Sequence, residues 1–356
     1  MLDFIVETKT VWQRLKETKK PIVMYGMGDG ALKIMKVLEE KNIPLAGFFA
    51  SDEFVRGHSF MGYKVHRLSE LEEQYGDLFI LMAFGIHDIP MTERITKIAE
   101  RHEFAAPDVP VIGDGLFDLD YIVKHENELQ QVYDMLADEQ SRKVFADILN
   151  YKISGDIRYL ASCTTTPDEA YENILRLDEN EDYADLGAYK GDTVEEFLKY
   201  TSGKYSSITA FEPDVKNHKK LTARMQELGI DADCRNISAH STEEVLYFAS
   251  RGGRHSSLDK EKGKPTQANS LDNVREGKRV SFINMDVEGA EKEAINGCKQ
   301  TILKYQPKML ISIYHRTEDM FAIPLQVRDI NPNYKFYMRH YRYIPAWDTN
   351  LYCISE

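Results

Sequence analysis

Three carboxylates and a histidine, each beside a turn at the end of an apolar run, are the residues of this chain best placed to do chemistry. Asp185 lies two residues before Gly187 and six before Gly191 in the run YADLGAYKGDT, residues 183–193. Glu212 follows the apolar run 207–211, Asp286 follows 280–285, and His315 follows 308–313. Glycine lets a backbone approach a ligand closely, and the helix that the sequence predicts after Gly191 begins with unpaired N–H groups. A carboxylate at the end of a second strand can accept both hydroxyls of a ribose. That much would suit a dinucleotide or another nucleoside-bearing ligand.

The acid at Asp185 discriminates between them. It would repel a pyrophosphate, whereas a sulfonium or an amine is attracted to it. The turn is also G-x-x-x-G rather than the G-x-G-x-x-G of a dinucleotide site. Asp185, Gly187, Gly191 and Glu212 together therefore suit S-adenosylmethionine (AdoMet) better than NAD. Methyl transfer to a hydroxyl is an in-line displacement in which the acceptor oxygen sheds its proton, so proximity and a base both contribute. His315, Asp286 and Glu288 are the candidate bases, and only the histidine has an ordinary pKa near neutrality. A structural hydrogen-bonding role for this histidine is equally open. Asp286, Glu288 and Glu291 also raise the question of a bound Mg²⁺, because three carboxylates spaced around one turn can hold a hard cation. The plainer reading leaves Asp286 for donor and acceptor and gives Glu288 and Glu291 to the start of the next helix, where negative charge is favoured.

These residues need strands that end together, and the pattern supplies them. Two series of alternating strands and helices are expected. The first has strands over 21–25, 45–50 and 78–83, with helices over 31–41 and 68–75, after an amphipathic helix over 3–18. Its glycine turn, Gly26, Gly28 and Gly30, fits the dinucleotide fingerprint poorly and is open to reading as a tight strand-to-helix turn. Residues 116–160 read as two bridging helices, able to carry dimer contacts of a homo-oligomer or to pack back as a lid. The second series has strands over 183–186, 207–211, 233–238, 245–249, 280–285 and 308–313, with helices over 193–201, 215–228 and 290–305. The stretch 250–264 reads as a loop, in which Arg251, Gly252, Gly253, Arg254 and His255 could close over an anionic acceptor. A last strand is expected within 335–344, with Phe336, Met338 and His340 on one face and aromatic and basic residues around it. The fold class is α/β: two doubly wound Rossmann-like domains, 1–115 and 179–356, joined by a helical segment, 116–178.

Composition narrows the class of function. The 356 residues are 42% hydrophobic and 29% charged, with a net charge of −13. That balance suits a globular protein and opposes a nucleic-acid partner, which requires a basic face. Four cysteines without a CxxC pair read as free thiols in a reducing, cytoplasmic setting. No apolar run is long enough for a transmembrane helix.

Two resemblances follow from these motifs. The run VMYGMGDGALKIMKVLEEKNIPLAGFFASD, with GHSFMGYKV after it, resembles the small Rossmann-like domains that precede glycan-modifying enzymes and sugar-nucleotide acyltransferases, which implies a nucleotide or nucleotide-sugar binding type. More specifically, YADLGAYKGDT, AFEPD, the tripeptide Ser256-Ser257-Leu258, FINMDVEGAEKEAINGC and the terminal LYCI resemble the FkbM family of AdoMet-dependent O-methyltransferases over residues 180–356. That resemblance implies a class I AdoMet-dependent methyltransferase fold and a sugar, glycan or related natural product as acceptor. It implies donor contacts at Asp185, Gly187, Gly191 and Glu212, and places Asp286 facing the sulfonium and the acceptor. Asn236 falls where the family places a donor contact, although Asn236-Ile237-Ser238-Ala239 departs from the usual Asn-x-Ala-Leu turn. The competing readings are a nucleotide-sugar oxidoreductase or epimerase working from the first domain, and a non-catalytic scaffold for glycan assembly. The first would need a Tyr-x-x-x-Lys pair near the Gly26 turn, which the first domain lacks, and the intact acids and glycines oppose the second.

Overall fold

The structure, a computed structural model, describes residues 2–250, 256–258 and 264–355. The proposed anion-closing segment, 251–255, lies outside the described residues. Strands β1 (Ile22–Tyr25), β2 (Gly47–Phe49), β3 (Ser59–Phe60), β4 (Tyr63–His66), β5 (Phe79–Met82) and β6 (Glu103–Ala105) form a first sheet, in the order β3-β4-β2-β1-β5-β6. From β4 to β6 every pairing is parallel. Strands β1 and β5 are buried at every residue, as expected where helices cover both faces of a parallel sheet.

The N-terminal helix is shorter than the periodicity of 3–18 predicts. It runs only over Val11–Glu17, opened by a capping box between Thr10 and Gln13. Before it, the Asn150 side chain accepts the N–H groups of Val6 and Glu7, at 2.8 and 3.1 Å, and so holds them out of a helix. A tertiary hydrogen bond has overridden local pattern there.

Between the sheets, the two expected helices are five: Leu119–Lys124, Glu126–Met135, Glu139–Ser154, Ile157–Cys163 and Pro167–Ala170, the last continuing into a π-turn over Tyr171–Leu175. Asp118, Asp138, Asp156 and Thr166 each accept a first-turn N–H and so open a new helix. The longest of the five reaches both sheets. Its Tyr151 hydroxyl donates to the Ala106 carbonyl beside β6, while its Ser141 Oγ accepts the N–H of Met338 near the C-terminus. One hydrophobic core runs from Val23 and Ile80 through Phe145 and Ile148 to Ile283 and Ile311.

The second sheet holds β7 (Asp182–Leu186), β8 (Ser207–Phe211) and β9 (Asp233–Arg235). A side sheet follows, of β10 (Ser238–Ala239), β11 (Glu244–Ser250), β12 (Ser256–Leu258) and β13 (Lys264–Asn269). Then come β14 (Phe282–Met285), β15 (Lys308–Ser312), β16 (Tyr334–His340) and β17 (Thr349–Ser355). The main sheet is ordered β16-β17-β15-β14-β7-β8-β9, parallel except that β17 runs antiparallel to both neighbours. The expected strand 233–238 is thus divided between two sheets, and part of the expected loop, Ser256–Leu258, pairs with β11. The expected helix 290–305 is broken into Glu291–Asn296 and Lys299–Tyr305. Gly297 stands at the break, where a Cβ would sit 2.0 Å from the His240 carbonyl oxygen. The helix Asp319–Ile330, with Pro324 inside it, had no counterpart in the sequence reading.

The strand expected within 335–344 is β16, an edge strand with Phe336, Met338 and His340 buried, and β17 follows it inside the sheet. All four cysteines are free, three of them buried. Among the described residues no helix is long and apolar enough to cross a membrane.

Candidate functional site

Register brings the predicted residues together. Leu186 pairs with Phe211 on one side and with Met285 on the other, so the next residues, Gly187, Glu212 and Asp286, sit side by side at the carboxyl ends of β7, β8 and β14. Adjacent strands are about 4.8 Å apart, which puts Glu212 and Asp286 about 10 Å apart with the glycine turn between them. This is the place where open α/β sheets bind ligands.

The turn is built for closeness. Gly187 has φ +100°, and a Cβ there would lie 1.9 Å from the Asp286 carbonyl oxygen. Gly191, at φ +95°, caps the helix Asp192–Tyr200 without a side-chain partner, leaving that helix start free for a carboxylate.

Asp185 lies beneath the glycine turn. It is fully buried, its Oδ1 accepting from Asn284 Nδ2 at 3.0 Å and its Oδ2 from the Thr193 hydroxyl at 2.5 Å. It ties the strand end to the helix start from beneath. Burial pushes its carboxyl up to about 6, against the pull of those two bonds. Glu212 is 5% exposed and spends Oε1 on the N–H of Asp214, at 2.8 Å. Desolvation pushes this carboxyl up to about 7. Asn236 turns away from any ligand role for its amide nitrogen, which donates to the carbonyls of Glu212 (2.8 Å) and Pro213 (3.0 Å) and fixes the turn that carries Glu212.

Beside Gly187, the segment after β14 makes a second tight turn. Glu288 and Gly289 both have positive φ, +53° and +88°. A non-glycine residue there carries strain that only surrounding contacts can hold. The holding group is Glu291, whose Oε1 accepts the N–H groups of Val287 (3.1 Å) and Gly289 (3.2 Å). The Arg316 Nε donates to the Gly289 carbonyl from the other side, at 2.7 Å.

His315 sits within this turn. Its Nδ1 is 3.0 Å from Glu291 Oε1, and its Nε2 is 3.4 Å from Asp286 Oδ1 and 3.5 Å from Glu288 Oε2. The His315 side chain is 1% exposed, whereas Asp286 is 40% exposed. Burial pulls the imidazole down, but the carboxylates of Glu291, Asp286 and Glu288 outweigh it and raise its pKa to about 10. The surrounding carboxylates thus favour the imidazolium form of His315. Desolvation pushes the Asp286 carboxyl up to about 7, against the pull of that imidazolium. Asp286 Oδ2 also accepts a long hydrogen bond, 3.3 Å, from the Tyr314 hydroxyl.

The same cluster bears on the metal question. Asp286, Glu291 and His315 offer ligand atoms within 4.8 Å of one another. Glu291 Oε1 is committed to two backbone donors, whereas its Oε2 has no hydrogen-bond partner. A cation there would have to displace the proton that the carboxylates favour on His315, because a metal-ligating histidine is neutral. The role of Glu291 in shaping the Asp286 turn is the part that the sequence reading missed. Its spacing from Asp286 pointed to a ligand or a helix cap, and no signal in the pattern says that a side chain folds back onto its own preceding turn.

The Gly26 turn of the first sheet is closed differently. A Cβ on Gly26 would lie 2.6 Å from the Phe84 ring, and one on Gly30 would lie 2.5 Å from the Ala83 carbonyl oxygen. A cavity of about 690 Å³ in this part of the chain is lined by Tyr25, Phe49, Asp52, Arg94 and Lys97, without the glycines. It lies apart from the cluster around Asp286.

A seven-stranded, mostly parallel sheet with an antiparallel β17, an acid-bearing glycine turn after its first strand and a second acid after the next strand define a class I AdoMet-dependent methyltransferase fold. Residues 185–344 match the family model of the methyltransferase FkbM domain, a type that implies methyl transfer from AdoMet. The chain is similar to the crystal structure of the methyltransferase FkbM from Methylobacillus flagellatus KT. The two are 20% identical, with 95% of this chain and 90% of that one covered and a TM-score of 0.74. An rRNA methylase from Streptococcus thermophilus is 13% identical over 50% of this chain and 89% of its own, with a TM-score of 0.34. No curated protein matches the sequence.

Proposed function

We propose that this chain transfers the methyl group of AdoMet to a hydroxyl of a sugar, carried on a nucleotide or a glycan. The observation that carries the reading is the alignment of the glycine turn, Glu212 and the half-exposed Asp286 at one sheet end, with His315 sealed behind Asp286.

When bound, AdoMet supplies an electrophilic methyl on a sulfonium. Gly187 and Gly191 give it close backbone, the free helix start after Gly191 takes its carboxylate, and Glu212 accepts its ribose hydroxyls. Asp185 contributes negative charge from below and holds Thr193. Asp286 faces the acceptor and takes the proton from its hydroxyl as the oxygen–methyl bond forms and the carbon–sulfur bond breaks. A carboxyl poised near neutrality is suited to that task. His315 is a positioning residue in this account. The carboxylates around it favour its protonated form, which suits it to holding Asp286 through Nε2, while Glu291 faces its Nδ1.

The test is methyl transfer from labelled AdoMet to UDP-, GDP- and dTDP-sugars by the full chain, with and without a chelator, alongside calorimetry with AdoMet and NAD. Transfer to a sugar hydroxyl, unchanged by the chelator, is expected. NAD binding without AdoMet binding would sink the proposal.

A further inference from the structure

The acids around Asp286 account for donor and proton, but not for what holds the acceptor. The antiparallel pairing of β15 with β17 brings Asn350 opposite Ser312, so the residues just before β17 lie beside the Tyr314–His315 turn. Asp348 is among them, in a left-handed conformation (φ +63°). Its carboxylate accepts from Asn350 Nδ2 at 2.9 Å, and its charge reaches both Asp286 and Tyr314.

Beside it, the loop after β5 of the first sheet meets the segment between β16 and β17. After β5, Ile86 and Ile344 exchange two backbone hydrogen bonds, at 2.8 and 2.9 Å. This seats Gly85 against the rings of Tyr343 and Trp347, where a Cβ would lie 2.8 and 2.5 Å from their carbons. The next residue, His87, is exposed and stacks on Tyr343 with ring centroids 5.5 Å apart, and Tyr343 lies 5.5 Å from Trp347. Burial raises the Asp348 carboxyl, against weaker opposing pulls from Asn350 and from nearby His87.

We infer that the acceptor subsite is shared between the two sheets: His87, Tyr343 and Trp347 form an aromatic wall for a sugar ring, and Asp348 accepts a second hydroxyl of that ring while Asp286 takes the reacting one. The inference rests on the sugar-methylation reading above and sharpens it. Aromatic faces present apolar area to the C–H faces of a ring, and carboxylates accept its hydroxyls. Charge then sets the class of sugar. Among the described residues, Asp286, Glu288 and Asp348 converge near the reacting hydroxyl, and His315 beside them is already surrounded by carboxylates. A uronate or a ring phosphate would meet like charge there. The ring is neutral or amino-bearing, and any phosphate of its carrier lies outside this wall. The loop after β5 thereby becomes a specificity element for chemistry done on the second sheet, which gives the first sheet a role that does not need a nucleotide in its glycine turn.

The experiment uses the full chain with labelled AdoMet and three acceptors: UDP-glucose, UDP-N-acetylglucosamine and UDP-glucuronate. His87→Ala changes an exposed residue. Asp348→Asn preserves shape. Expected are methylation of the neutral sugars in preference to the uronate, a fall in kcat/KM of roughly three- to tenfold in His87→Ala, and a narrower neutral-to-uronate preference in Asp348→Asn. AdoMet affinity, measured by calorimetry, should be unchanged in both. If the wild type methylates these sugars and both variants match it in kcat/KM and preference, the shared subsite is wrong while the sugar reading stands. If the wild type binds AdoMet and methylates none of the three, nor any sugar of the wider panel, the sugar reading itself falls and the subsite with it.

Discussion

His315 Nδ1 and Glu291 Oε1 are 3.0 Å apart, and both side chains are 1% exposed. The pair is the pivot of the site, because the same glutamate oxygen holds the turn that carries Asp286, and the other imidazole nitrogen faces the Asp286 carboxylate.

Removing one partner leaves the other charge buried. Glu291→Ala should cost about 3–5 kcal/mol in urea unfolding. The pair also sets a pH dependence. The groups facing His315 are Glu291, Asp286, Glu288 and, one turn on, Asp319, whose carboxyl burial raises to about 7. The His315 imidazole is raised from an ordinary 6.5 to about 10, so the folded chain keeps a proton that the unfolded chain releases. Its stabilisation is complete below about 6.5 and is lost as pH rises through about 10. His315→Gln should flatten that alkaline decline in a series of unfolding curves. A decline of the same steepness in the variant would contradict the assignment.

Asp286 carries the rate. With its carboxyl near 7, methyl transfer should rise with pH across neutrality as that proton leaves. Asp286→Asn should lower kcat by roughly a hundredfold to ten-thousandfold and abolish the inflection. A retained inflection would pass the role of base to another group.

Donor binding should weaken in acid. Glu212 and Asp185, raised to about 7 and about 6, gain protons as pH falls through those values, and neither then offers charge to a cationic ligand. Calorimetry from pH 8 to pH 5.5 should show the AdoMet Kd rising steadily, with protons taken up from AdoMet-free protein released on binding. Glu212→Gln should raise the Kd at pH 8 by about ten- to a hundredfold and remove the upper part of the pH trend.

Gly187→Ala tests the close approach of two turns. The new methyl group would need the space of the Asp286 carbonyl oxygen, at a φ of +100° that alanine tolerates poorly. A loss of about 2–4 kcal/mol is expected in thermal or urea unfolding. AdoMet-dependent activity should fall with it, because the Asp286 turn is what moves. An alanine variant of wild-type stability would show that the turns sit farther apart.

The sequence by itself determined the α/β class, most strand positions and the pairing of an acid-bearing glycine turn with Glu212 and Asp286. Apolar runs ending in glycine or an acid are local signals, and a parallel sheet aligns their ends wherever they fall along the chain. The 207–211 strand and the 215–228 helix were legible for that reason. What depends on residues distant in the chain was not. Asn150 straightened residues 6 and 7, and His240 stands against Gly297 where a helix breaks. The roles inside the site were likewise decided in three dimensions. Histidine looked like the base because its ordinary pKa lies near neutrality, but three carboxylates gathered around His315 hold its proton, and burial moves Asp286 into the range that the chemistry needs. A pKa belongs to a residue's surroundings, and those surroundings came from β14, β15 and the turns between them.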